Sequence, residues 1–522
     1  MNRNNSVYPY KMNLLNRSHR SAASVPAEGE TRRSCHFGTF QAALASAALA
    51  LSTVVFSRDL PPNVPAPKPV VLSLPDVRSL PNGLQVVVFE RHTLPLVTLR
   101  LVVKSGAEAD PPGLPGEAQF VASLLNEGTA TRSSQQIAAA IDDVGGLVDT
   151  GAEWDQSYGT VSVLTDHVDL AFDLLSDIMI HPAFRPDDVE RIRKQTLSAL
   201  EVLKSDPGYL ADTVFSKLTL AGTPYSHPQD GGVDAVREIT EADLHQFHDR
   251  HYQPSNSILA VVGDISANPA MKLAKEYFGK WQGSGVPAQP ALQPPQNEDR
   301  RRIVVIDKPD AVQTEIRIGN AAIARDNPDY LALNLADQIL GGPANNRLFD
   351  ALRTRHGLAY GASSSLTCYL AAGEWEAKTS TRTAETLRSI DLILEQMKRL
   401  RKHAISGFEL SNAQSYLVGH MALQFETSDD IASHVLALLV DHLPLDYWNQ
   451  FPTHLDALTP QEIAAATRRY LDPRTAVIVL VGNAEVFKKD LKRLGDVQVI
   501  PINRVDLASA TLEIQGDEAR GR

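Results

Sequence analysis

The sequence predicts a mixed α+β protein made of one unit used twice. Three observations carry that reading. The segment YQPSNSILAVVGD, from Tyr252 to Asp264, recurs as YLDPRTAVIVLVGN, from Tyr470 to Asn483, about 218 residues further on. Each copy follows a helix-start signal, Thr240 in ITEADL and Thr459 in LTPQEI, with acidic residues in the first turn. The opening strands keep the same offset: Leu84 to Phe89 (LQVVVF) matches Arg302 to Asp307 (RIVVID), and Val97 to Leu101 (VTLRL) matches Thr314 to Ile318 (TEIRI). The identity is weak, but a register kept across a whole half marks a duplicated unit.

Local pattern then fixes the elements. Residues 86–89 and 99–103 are rich in β-branched side chains and read as strands. Residues 116–126 and 134–144 read as helices, and 158–164 alternates as a strand does. Val168–Ile180 and Pro186–Ser205 place apolar residues three and four apart, the spacing of a helix with one buried face. Strands and helices in layers are therefore expected in each half. The Gly-, Ser- and Pro-rich stretch 283–299 reads as a linker between an N-terminal half, 76–282, and a C-terminal half, 300–503. Residues 504–522 show no pattern and are expected to form a loosely held tail.

The N-terminus has a different character. Residues 1–33 carry Arg3, Lys11, Arg17, Arg20, Arg32 and Arg33, and an apolar run from Ala42 to Phe56 follows. A basic start ahead of a short apolar core reads as an export signal over 1–57, with a Pro-rich linker over 58–75. The leader before that core is long, so translation starting at Met12 is compatible with it. The run is shorter than the roughly 20 residues that span a bilayer, so a retained anchor is the second reading. Either places the body in the periplasm or on the outer side of the inner membrane.

Apolar residues make up 43% of the 522 and charged residues 21%, which excludes wholesale disorder. The net charge of −12 argues against nucleic acid as a partner. Cys35 precedes the apolar run and Cys368 lies in the body, so once a leader is removed neither a disulfide nor a cysteine metal site can form.

Metal-site candidates are few. Among fifteen histidines no two stand four apart, so the four-residue spacing with which a helical histidine pair binds zinc is absent. His245, His248 and His251 are spaced by three and read as a surface helix end rather than a metal site; His356, in a turn-like Arg-His-Gly, is given no role. Gly341 to Phe349 (GGPANNRLF) is Gly-rich but lacks the Gly-Lys-Ser/Thr of a phosphate loop. No Gly-x-Ser-x-Gly elbow is present.

Three long segments resemble the pitrilysin/insulinase peptidases, a family that includes the mitochondrial processing peptidase. They are LPNGLQVVVFERHTLPLVTLRLVVKSGAEAD, the stretch from Pro224 through VVGDI, and LADQILGGPANNRLFDALRTRHGLAYGASSSL. The resemblance spans roughly residues 75–490 and implies two similar α+β halves facing each other as a clam-shell chamber. Active members carry H-x-x-E-H on a helix: two imidazoles bind zinc, the glutamate is general base, and a later glutamate completes the site. Set against that family's G-x-A-H-F-x-E-H-x-x-x-x-G-T, this chain reads GEAQFVASLLNEGT. Gln119 and Ser123 stand at the ligand positions and Ala122 at the base position. The third ligand would fall near Leu200; Glu201 beside it reads as a solvated helix face.

Arg353 and Tyr360 match a pair that in this family reaches the substrate from the second half, with the Gly-Leu-Ala between them kept. A guanidinium and a phenol can hold a peptide carbonyl and stabilise its oxyanion. From spacing alone, a helix-capping Arg and a packed Tyr are an equal reading. The resemblance therefore implies a substrate-binding subunit without catalytic residues or cofactor of its own. It would pair with a zinc-bearing homologous subunit around an extended peptide; a homo-oligomer is also compatible. The alternative is a non-enzymatic structural or peptide-binding homologue.

Overall fold

The computed structural model describes residues 71–514 except 284, 286, 288–294, 296–298, 344–345 and 403–404. The leader, most of both linkers and the last residues of the tail lie outside the described residues.

The N-terminal half forms a six-stranded sheet from β1 (Asp76–Ser79), β2 (Gln85–Glu90), β3 (Leu96–Val103), β4 (Leu147–Ala152), β5 (Ser157–Leu164) and β6 (Ser257–Gly263). Its order is β1-β2-β6-β3-β5-β4. Its helices are α1 (Glu117–Leu124), α2 (Ser134–Asp142), α3 (Val168–Ile180), α4 (Pro186–Ser205), α5 (Pro207–Thr219), α6 (Val233–Glu238), α7 (Glu241–His251) and α8 (Ala267–Phe278). The expected capping box forms at Thr240, whose hydroxyl accepts from Asp243 N while Asp243 accepts from Thr240 N.

The C-terminal half repeats the plan with β7 (Arg302–Asp307), β8 (Gln313–Ala322), α9 (Tyr330–Gly341), α10 (Arg347–Phe349), β9 (Ala359–Cys368) and β10 (Gly373–Arg382). It continues with α11 (Thr386–Lys402), α12 (Gly407–Met421), α13 (Ser428–Val440), α14 (Tyr447–Ala457), α15 (Pro460–Tyr470), β11 (Val477–Gly482), α16 (Ala484–Leu491) and β12 (Asp496–Pro501). Its sheet order, β12-β7-β11-β8-β10-β9, matches the first strand for strand, with one exception. The outer strand β1 arrives through a tight turn, with Gly83 in the left-handed region at φ 93°, and so lies antiparallel to β2. Its counterpart β12 arrives by a helical crossover through α16 and so lies parallel to β7.

The apolar runs in the central strands are continuous rather than alternating because both faces of each sheet are covered. Val97, Leu99, Leu101 and Val103 face the helices of their own half, as do Leu259 and Val261. The alternate residues Val87, Val102, Ile258, Ala260 and Val262 face the other way, into a core shared with Ile431, Ala432 and Val435 of α13. The second sheet mirrors this: Val304, Ile306, Val479 and Val481 pack on Leu210, Val214 and Phe215 of α5. Each half thus lends one helix to the back of the other's sheet.

Two ion pairs repeat the exchange. Arg317 on β8 is buried and pairs with Asp212 on α5, with Glu315 at 3.0 Å and Glu376 at 3.4 Å. Arg100 on β3, also buried, stands 3.6 Å from Asp429 on α13. Both the two arginines and the two aspartates are 217 residues apart, so the duplication extends to the contacts between halves. The molecule is α+β in two homologous halves facing each other, as the clam-shell expectation has it.

The tail departs from expectation. Up to Ile514 it is held: Val505 bridges to Glu513, and Leu507 and Leu512 are buried against α5 and β11. Two well-spaced leucines suffice to pin a segment that has no periodic pattern.

Candidate functional site

The helix expected to carry a zinc motif is α1. Its start is anchored by Asp110, whose carboxylate accepts from Gly116 N at 2.6 Å and Ala118 N at 2.8 Å. Burial nevertheless pushes that carboxyl up to about 8. Along the helix the two polar motif positions are engaged in hydrogen bonds and the third is buried. Gln119 Oε1 accepts from Ala152 N, at the end of edge strand β4, at 3.3 Å. The Ser123 hydroxyl donates to the Gln119 carbonyl oxygen at 2.7 Å. Ala122 is fully buried in the N-terminal core. Leu200 is buried beneath α6, and its neighbour Glu201 is exposed on α4.

These residues do not fit a catalytic zinc. Such a site needs at least three fixed nitrogen, sulfur or carboxylate ligands and one open position. Here one position is apolar, one is a hydroxyl engaged with its own helix, and the third is an amide engaged with a strand. Among the described residues no three His, Cys, Asp or Glu side chains gather as a metal site.

Contrary to the sequence expectation, His248 and His251 are not part of a surface helix end. Both are buried, with 6% exposure each. His248 Nε2 lies 3.0 Å from Met179 O, and His251 Nδ1 lies 3.0 Å from Ser105 Oγ. Burial holds both imidazoles down at about 4, so they are neutral core residues; the spacing of three hid which helical face turns inward. His356 Nδ1 sits 2.7 Å from Ala351 O, a structural contact that closes the turn.

The second candidate site lies at the opposite edge strand, β9. Asn346 caps α10, its side chain accepting from Phe349 N at 2.7 Å. The helix runs directly into one turn of π-helix, Asp350–Thr354, which carries Arg353. π-turns inside helices recur at functional positions, and nothing in the sequence pattern signals this one. The following turn leads into β9, whose second residue is Tyr360, 86% exposed. The alternative of a Tyr packed at a strand start is therefore wrong. The Arg353 guanidinium lies over the Tyr360 ring, 4.6 Å from its centroid, and 4.9 Å from the centroid of Phe349.

Each site stays with its own sheet edge. The α1 helix packs on β4, α4 and α7, and the π-turn packs on β9, α10 and α11. No hydrogen bond or ion pair among the described residues joins Arg353 or Tyr360 to Gln119, Ala122 or Ser123. Arg353 and Tyr360 are thus brought together as a unit at the edge strand β9.

Comparison with known proteins agrees with this architecture. The sequence profile described as insulinase (peptidase family M16) matches residues 85–227, and that of the peptidase M16 inactive domain matches 238–417. Together they cover more than half of the chain, which belongs to the insulinase (M16) peptidase family. An uncharacterized zinc protease of Mycobacterium leprae is 26% identical over 80% of this chain and 93% of its own length. The non-peptidase homolog YmxG of Helicobacter pylori is 23% identical over 77% of this chain and 91% of its own. The crystal structure of a peptidase M16 inactive domain from Pseudomonas fluorescens superposes with a TM-score of 0.74 at 29% identity, covering 78% of this chain and 97% of that one.

Proposed function

We propose that this chain is the non-catalytic, substrate-binding subunit of a two-component zinc metallopeptidase. One contrast carries the reading: the metal positions on α1 are filled by hydrogen-bonded Gln119 and Ser123 and buried Ala122, while Arg353 and Tyr360 stay exposed with donors available. The zinc, its ligands and the general base belong to a homologous partner, and the chamber is completed across the two chains. An extended peptide adds to a sheet edge, where backbone donors and acceptors are unpaired, and Arg353 and Tyr360 hold its carbonyl oxygen. The basic, apolar leader favours export, so the pair works outside the inner membrane. No helix among the described residues is long and apolar enough to cross a membrane.

Co-expression with an H-x-x-E-H homologue from the same organism tests the pairing. The mixture is expected to cleave an unstructured peptide far faster than either chain. Arg353→Ala should lower kcat/KM at least about tenfold, roughly the loss of one charge-assisted hydrogen bond, and Tyr360→Phe less. Full activity with Arg353→Ala would sink the substrate role. A second reading, a non-enzymatic structural or peptide-binding protein, is favoured by the description of the H. pylori relative as a non-peptidase. It predicts peptide binding or assembly with no stimulation of any zinc-bearing homologue.

A further inference from the structure

We infer that Phe349 is a positioning residue that holds the Arg353 guanidinium ready for the carbonyl or carboxylate oxygens of a bound peptide. This rests on the substrate-binding reading above and deepens it. Three arginines fall within nine residues of the α10 segment, and their environments differ. Arg347 is committed to Glu409, with Nε at 2.7 Å and Nη2 at 3.1 Å from its carboxylate oxygens. Arg355 is committed to Asp350 at 2.5 Å. The Arg353 guanidinium has no hydrogen bond or ion pair among the described residues; only the rings of Phe349 and Tyr360 hold it.

The difference has a chemical consequence. A carboxylate would consume the N–H donors of the guanidinium. A ring face instead takes up the flat face of the cation and leaves the donors at its edge available. Phe349 stands four residues before Arg353, so the two share one side of the coil, and Tyr360 reaches the same cation from the start of β9. Phe349 is half-buried and Tyr360 exposed, so Phe349 is the fixed wall of the pair. Held this way, Arg353 loses less side-chain freedom when a peptide arrives.

Fluorescence anisotropy of a labelled unstructured peptide binding to the full chain reads the effect directly. Arg353→Ala is expected to weaken binding clearly, and Phe349→Leu by about two- to five-fold, the worth of an exposed cation–ring contact. Phe349→Tyr, which keeps the ring, should restore wild-type affinity. In the Arg353→Ala background, Phe349→Leu should add no further loss, whereas a merely structural role would cost the same in both backgrounds. If Phe349→Leu lowers expression of folded protein, Phe349→Met carries the same comparison. No loss with Arg353→Ala refutes the binding reading and this inference together. Loss with Arg353→Ala but wild-type affinity with Phe349→Leu, or equal cost in both backgrounds, refutes this inference alone.

Discussion

Rebuilding the motif by Gln119→His, Ala122→Glu and Ser123→His asks whether the zinc site has merely lost its ligands or has been filled in. Position 122 has no exposed surface, so the new glutamate must push into packed core. Overpacking of that kind costs about 1–3 kcal/mol. An unpartnered buried carboxyl adds about 1–3 kcal/mol, giving a loss of about 2–6 kcal/mol. The two imidazoles also displace the Gln119 and Ser123 contacts with Ala152 and the helix carbonyl. Tight zinc binding would offset this, since free metal at a hundred times Kd stabilises by about 2.7 kcal/mol. The third-ligand position offers only buried Leu200 and outward-facing Glu201. The triple variant is therefore expected to melt several degrees lower in calorimetry, with little recovery on adding zinc and well under one zinc per chain by elemental analysis. A variant with wild-type Tm and one firmly held zinc per chain would refute the claim that the site is packed shut.

Three further outcomes follow from the fold. Arg317→Met strands Asp212 and Glu315 beside Glu376, whose carboxyl burial already pushes up; a loss of about 3 kcal/mol in urea denaturation is expected, at the low end for a broken buried pair because Asp212 is half exposed. An unchanged midpoint would show that the exchanged helices dock without their ion pair. Truncation after Arg504 removes buried Leu507 and Leu512 and should cost about 3 kcal/mol or more; a truncated chain as stable as the full one would restore the loose-tail expectation. For pH, burial holds Asp337 and Asp441 at about 7, and burial together with nearby Asp243 holds Glu117 at about 7, with Asp110 at about 8. These groups keep protons in the folded chain that the unfolded chain releases near pH 4. Their contribution is full below about pH 4 and lost as pH rises through 7 and 8. His248 and His251 act in the opposite sense, but only below about pH 6.5, where the unfolded imidazoles take up protons. Unfolding free energy should thus fall between pH 6.5 and 8.5, and a rise across that interval would contradict carboxyls held protonated by burial.

The duplication was legible because strand runs and capping boxes are local patterns, and both survive in register from Thr240 to Asp264 and from Thr459 to Asn483. The helix exchange was not. The apolar faces of α5 and α13 announce burial, but periodicity cannot say which sheet they cover. The mirrored pairs Arg100–Asp429 and Arg317–Asp212 become visible only once both sheets are in place. The replaced positions Gln119, Ala122 and Ser123 could be read directly, since chemistry is lost with the residue type. The engagement of Gln119 could not, because it depends on where Ala152 ends its strand. The π-turn that carries Arg353 packs against β9 and α11, and no spacing rule encodes it.

The absence of a working zinc site is tested most directly by turnover of an unstructured fluorogenic peptide by the purified chain alone in zinc-supplemented buffer. The expected rate is no different from buffer, with and without chelator. Sustained cleavage that a chelator abolishes, from this chain without a partner, would contradict that absence.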